Sequence, residues 1–169
     1  MKILVTENQY KKLLKEEEKE QKIFRVPGLE FFHENKWEAW KILQKVLDAR
    51  GNPPYTIGGD LYLVGTPIET LGNLTSVGGN LDLRYTPIES LENLQSVGGY
   101  LDLRGTPIES LGKLTSVGDD LDLRNTPIES LGKLTSVGDD LYLEDTTLSI
   151  NYTKKQIRKM VDVSGKIYL

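Results

Sequence analysis

Six apolar positions recur along this chain at a fixed interval of 20 residues. In Val77–Ser96 they are Val77, Leu81, Leu83, Ile88, Leu91 and Leu94. The same pattern occupies Ile57–Ser76 before it, Val97–Ser116 and Val117–Ser136 after it, and Val137–Ile150 in part. Self-similarity at a short fixed period predicts a solenoid, in which each coil buries its apolar face only by stacking on its neighbours. Leu81 and Leu83 alternate with Asn80, Asp82 and Arg84, a period of two that predicts a short strand with both leucines facing inward. Stacked in parallel at about 4.8 Å, such strands form one parallel sheet of about six. The fold class is an α/β repeat.

Polar punctuation repeats with the same period. A glycine opens the turn before each strand: Gly58, Gly78, Gly98, Gly118 and Gly138. The next position holds Gly59, Gly79 and Gly99, then Asp119 and Asp139, which suggests a site that favours left-handed backbone. Thr66, Thr86, Thr106, Thr126 and Thr146 make a second column, with hydroxyls able to bond backbone inside the coil. Pro67, Pro87, Pro107 and Pro127 set the turn that follows.

The flanks read differently. Thr6 and Gln9 match a capping box, predicting a helix from about Glu7 to Lys22 that is polar after Tyr10, Leu13 and Leu14. It is either a solvated helix with a small docking patch or an arm for a partner or second copy. Val26-Pro27-Gly28 marks a turn. A second helix is expected from about Leu29 to Ala49. Trp37, Trp40, Leu43, Val46 and Leu47 fall on one stripe, suited to covering the first coil. Gly51 fits the position just past its end. At the other end, Thr153 and Gln156 form a capping box for a helix of about two turns. Ile167 and Leu169 then take the inward places of one more strand. The helix is inserted before that last strand, and Lys154, Lys155, Arg158 and Lys159 read as its solvent face. The organisation is thus a helical cap over residues 1–55, a solenoid over 56–150 and a closing segment over 151–169, all one structural domain.

Charge narrows the range of partners. Residues 1–55 are net +2, residues 56–150 net −10 and residues 151–169 net +4, for −4 overall. An acidic body lacks the basic stripe of a nucleic-acid binder. No run of about 18 apolar residues predicts a membrane span. The chain has no cysteine, so disulfides, thiolate metal sites and a cysteine nucleophile are excluded, and a cytoplasmic location fits. His33 is the single histidine and has no second histidine or cysteine to share a metal. No catalytic motif is present, so no enzyme activity, cofactor or metal is expected. The turn Gly118–Leu123 carries paired aspartates but not the glycine-rich nonapeptide of calcium-binding β-rolls.

The glycine turn followed by LxLxxTPIxxLxxL resembles a leucine-rich repeat of a short, 20-residue kind. The phrase VGGxLDLRxTPIESL is similar to the coils of receptor L domains. The likeness covers about Pro54–Leu169 and implies a right-handed parallel-sheet solenoid that works by binding proteins. Receptor L domains carry disulfides and this chain has no cysteine, so receptor function does not carry over. The near-identical coils and the MKILVTENQY opening also look like small leucine-rich-repeat proteins of bacteria and their tailed phages, which would make the chain virion-associated if phage-encoded.

The outward side of the strand ladder is the candidate site. Asp82, Asp102 and Asp122 form one column there, Arg84, Arg104 and Arg124 the next, with Tyr62, Tyr100, Tyr142 and Tyr168 along them. It is either a self-compensating charge ladder or a protein-binding strip, tyrosine and arginine being the residues enriched at binding hot spots. The expected function is a non-enzymatic protein-interaction module. A structural component joined through the N-terminal arm or the C-terminal edge strand is the alternative, with a homodimer at that edge as one form.

Overall fold

In the computed structural model residues 23–26 and 36–169 are described. The expected helix from Glu7 to Lys22, its capping box, the turn at Pro27-Gly28 and His33 lie outside them.

The coils stack as expected, but they build two parallel sheets rather than one. The anticipated sheet has six strands: β3 (Leu61–Tyr62), β5 (Leu81–Asp82), β7 (Leu101–Asp102), β9 (Leu121–Asp122), β11 (Leu141–Tyr142) and β13 (Ile167–Tyr168). The second has seven: β1 (Phe24–Val26), β2 (Tyr55–Ile57), β4 (Leu74–Val77), β6 (Ser96–Val97), β8 (Ser116–Val117), β10 (Ser136–Val137) and β12 (Asp162–Val163). The Ser-Val pair has no apolar–polar alternation with the residues around it. It becomes a strand because the repeat sets Ser76, Ser96, Ser116 and Ser136 in register, where their backbones pair. Leucine and isoleucine fill the space between the sheets, with Leu81, Leu83, Ile88 and Leu94 each 0% exposed.

The threonine column does what its spacing predicts. Thr86 Oγ1 donates to Leu83 O at 2.8 Å, and Thr66, Thr106, Thr126 and Thr146 repeat the bond. The glycine turn works differently from expectation. Neither glycine of Gly78-Gly79 has positive φ, and neither has Asp119 or Asp139. A Cβ on Gly78 would lie 2.5 Å from Gly58 O of the preceding coil, so glycine is needed there for close approach of backbones. The left-handed positions come later in the coil. They include Gly65, Tyr85, Gly105, Asn125 and Asp145, with φ between 57° and 68°.

Helix α1 (Lys36–Asp48) lies within the expected cap helix and buries Trp40, Leu43 and Leu47. It ends as the sequence requires: Asn52 N donates to Leu47 O and Gly51 N to Asp48 O, with Gly51 at φ 76°. β1, unforeseen in the sequence, pairs with β2 and extends the seven-stranded sheet past the first coil. The last coil closes through α2 (Thr147–Asn151), capped by Thr146, and α3 (Lys154–Met160), capped by the expected Thr153–Gln156 box. Ile167 then pairs with Leu141 and is buried, while Leu169 is half-buried.

Tyr55 ties cap to core. It is fully buried, and its hydroxyl donates to Leu71 O at 2.8 Å while Gln44 Nε2 of α1 donates to it at 3.5 Å. Burial, the largest effect, pushes its hydroxyl well above the usual 10.0. Unfolded, this phenol loses its proton near pH 10; folded, it keeps it. Stability is therefore full below pH 10 and falls as pH rises beyond it toward the folded value. Tyr55→Phe should cost about 1 kcal/mol at neutral pH and flatten that alkaline decline. Urea denaturation across the alkaline range checks this, and an equal decline in both proteins would show Tyr55 is not the linked group.

Candidate binding face

The face of the six-stranded sheet that points away from the core gathers the residues singled out in the sequence. Period-two alternation turns Asp82, Asp102 and Asp122 away from the leucines, and coil stacking aligns them: Asp82 pairs with Asp102 and Asp102 with Asp122. Outward does not mean exposed here, since these aspartates are only 2%, 7% and 7% exposed. Arginines two residues on lie over them. Arg84 Nε and Nη2 donate to Asp82 Oδ1 and Oδ2 at 2.9 and 2.6 Å, and Arg84 N donates to Oδ1 at 3.2 Å. Arg104 on Asp102 and Arg124 on Asp122 repeat this fork.

The forks also link across coils. Arg84 Nε lies 3.5 Å from Asp102 Oδ2, and Arg104 Nε 3.2 Å from Asp122 Oδ2. Each bridge offsets the like-charge repulsion that stacked carboxylates would otherwise suffer. The hydrogen bond to Asp82 is the main reason Arg84 holds its proton even more firmly than usual, and Asp122 does the same for Arg124. Among the described residues, Nη1 of each arginine has no partner. Three amino groups thus stand in a row at strand spacing, held in place by the rest of the fork.

Tyrosines bound the ladder. Tyr62 donates to Asp60 Oδ2 at 2.8 Å and accepts from Asn80 Nδ2. Tyr100 is half-buried, and burial, then the neighbouring Tyr62, raises its hydroxyl pKa. Tyr142 and Tyr168 stack at 4.8 Å with their planes 4° apart. Arg124 covers the Tyr142 ring at 5.0 Å and Lys154 the Tyr168 ring at 6.0 Å. A groove of about 370 Å³ runs over the ladder. It unites Asp82, Arg84, Tyr100, Asp102, Arg104, Asp122, Arg124 and Tyr142, leaves out Tyr62 and Tyr168, and adds Asp120.

Asp120 belongs to a further outward column, whose role is to bond backbone. Asp60, Asn80, Asp120 and Asp140 each accept the backbone N–H one coil on, from Asn80, Tyr100, Asp140 and Lys166, at 2.6–3.0 Å. The signal was present in the sequence: Asx residues at one repeat position, interrupted at Tyr100. Asp120, Asp139 and Asp140 have carboxylate oxygens within 4.8 Å of one another. Asp120 Oδ1 and Asp140 Oδ1 already serve this column, and Asp140 Oδ2 faces the hydroxyls of Tyr142 and Tyr168. Glu144 follows Arg124 in the arginine column, its charge adding to the arginine's raised pKa, and its Oε2 is buried without a hydrogen bond.

No family model, curated protein or solved structure matches this chain. Among the described residues no helix is long and apolar enough to cross a membrane.

Proposed function

We propose that the chain is a non-enzymatic protein-binding module of the leucine-rich-repeat type. Its coils wind right-handed, as parallel crossover connections almost always do, and the outer face of the six-stranded sheet receives the partner. The observation that carries this reading is the row of three arginine Nη1 groups, fixed by forks on buried aspartates over a groove that spans the coils. Side chains already locked lose little entropy on binding. Free donors in a row suit a partner that presents backbone carbonyls or carboxylates. Tyr100 supplies apolar surface beside them, and the edge of Tyr142 lines the same groove.

The test is affinity capture with the purified chain and with Tyr100→Ala/Arg104→Lys. The double variant keeps the positive charge over Asp102 but removes the fork and the aromatic ring. Recovery of specific partners should fall about tenfold or more, the loss of a single hot spot, while Ser96→Ala on the other sheet leaves recovery unchanged. Equal recovery by a folded double variant would refute the assignment of this face.

A further inference from the structure

The two sheets end differently at their C-terminal edges. In the seven-stranded sheet every coil hands three carbonyls to the next. The first is Thr75 O, which accepts from Gln95 N at 2.8 Å, and its counterpart in the last coil is Val161 O. The other two lie at the glycine turn. Val77 O accepts from Gly98 N at 2.8 Å and Gly79 O from Gly99 N at 2.9 Å. Val97 and Gly99, then Val117 and Asp119, repeat the pair, with acceptances of 2.9–3.2 Å from the coil that follows. Val137 O and Asp139 O accept from Ser164 N and Gly165 N. By the register of β10 with β12, the corresponding carbonyls of the last coil are those of Val163 and Gly165. Among the described residues no further strand meets them.

A side chain does. Arg158 of α3 donates through Nη1 to Val163 O at 2.6 Å and through Nη2 to Gly165 O at 2.7 Å. One guanidinium thus replaces two of the three amide N–H groups that a further coil would bring. The sequence places Arg158 with Lys154, Lys155 and Lys159 on the solvent face of the helix. All four are exposed as expected, and the structure gives Arg158 a specific pair of acceptors as well.

We propose that Arg158 is an edge latch: it occupies two of the three acceptors through which the seven-stranded sheet would otherwise accept the backbone of a second copy of this chain. An unpaired edge is a template for strand addition, and here two of its three acceptors are satisfied from within. The latch works by geometry as well as charge. Its two amino groups are fixed in one plane and reach both carbonyls together, which a lysine cannot do. Three lysines on the same short helix add positive charge around the edge, so two such ends also repel each other. Association in a copy lacking the latch therefore depends on ionic strength as well as on concentration.

The test compares the mass in solution of the purified full chain with that of Arg158→Ala, Arg158→Gln and Arg158→Lys, by light scattering over a hundredfold range of concentration. The unaltered chain should stay monomeric throughout. Arg158→Ala should associate as concentration rises, more so at high salt, where repulsion between the basic ends is screened. Arg158→Gln and Arg158→Lys, each keeping a donor, should fall between. Circular dichroism identifies any variant that has lost the fold, and the comparison then rests on the folded ones. Association of the unaltered chain through this edge, or folded variants that all remain monomeric at every concentration and salt, would overturn the proposal.

Discussion

Gly118→Ala should lower the melting temperature by about 10 °C, the equivalent of roughly 3 kcal/mol of overpacking in a domain of this size. The reason is distance between coils. A Cβ at Gly118 would fall closer than 3.0 Å to Gly98 O, a backbone atom fixed by the coil before. That atom cannot rotate aside as a side chain could. To make room the coils must separate, which weakens the bond from Gly118 N to Val97 O at 2.9 Å. The same obstruction meets a Cβ at Gly78, Gly98 and Gly138, so each site in the row should respond alike. Gly112→Ala is the informative contrast. Gly112 has φ 56° with nothing within 4 Å of a Cβ, so its substitution carries only the left-handed backbone penalty of about 1 kcal/mol. Thermal unfolding of both variants decides the matter. Equal losses would mean that the glycine row does not set the stacking distance.

Arg104→Ala should cost about 2 kcal/mol, well above an ordinary surface pair. Asp102 is 7% exposed, and without Arg104 its carboxylate keeps only the backbone N–H and the more distant Arg84. Asp122 loses its cross-coil contact at 3.2 Å in the same substitution. Removing one partner of a fully buried pair costs about 3–5 kcal/mol. The Arg104 side chain is 30% exposed, so water screens part of this and the lower figure applies. Replacing both partners, as in Asp102→Leu/Arg104→Leu, should cost less than Arg104→Ala alone, because no carboxylate is then stranded. Urea denaturation of the set measures both effects. A loss below about 0.5 kcal/mol for Arg104→Ala would place the ladder among solvated surface pairs.

Stability and the proposed recognition draw on the same ladder. The aspartates serve the fold, since they are buried and hold the arginines, and each arginine keeps one amino group for solvent or a partner. Charge compensation and the proposed binding strip therefore fall on different atoms of the same side chains. The tyrosines divide as well. Tyr142 and Tyr168 spend their ring faces on each other and on Arg124 and Lys154. Tyr100 stays with the groove.

The period, the inward leucines, the threonine column, the helix that closes the last coil and the strand at Ile167 were all legible in the residues. Each depends on spacing within about 20 residues or on local capping chemistry, and a repeated spacing states its own geometry. The seven-stranded sheet was not legible, because the Ser-Val pairs before each glycine turn show no apolar–polar alternation with their neighbours and pair only once coils align. Nor was the burial of Asp82, Asp102 and Asp122, since a strand pattern says which way a side chain points but not what lies over it. The glycine row shows the same limit. Its sequence signal is strict, yet the cause is the backbone of another coil rather than the torsion of its own. Arg158 is the sharpest case, for nothing in a run of basic residues tells one from the next. Only the meeting of helix and sheet edge sets its two amino groups on Val163 and Gly165. The repeat alone implies a stack of coils, because one coil cannot bury its own apolar face. What closes that stack, and which polar groups remain free, depends on atoms that meet only after the coils are in place.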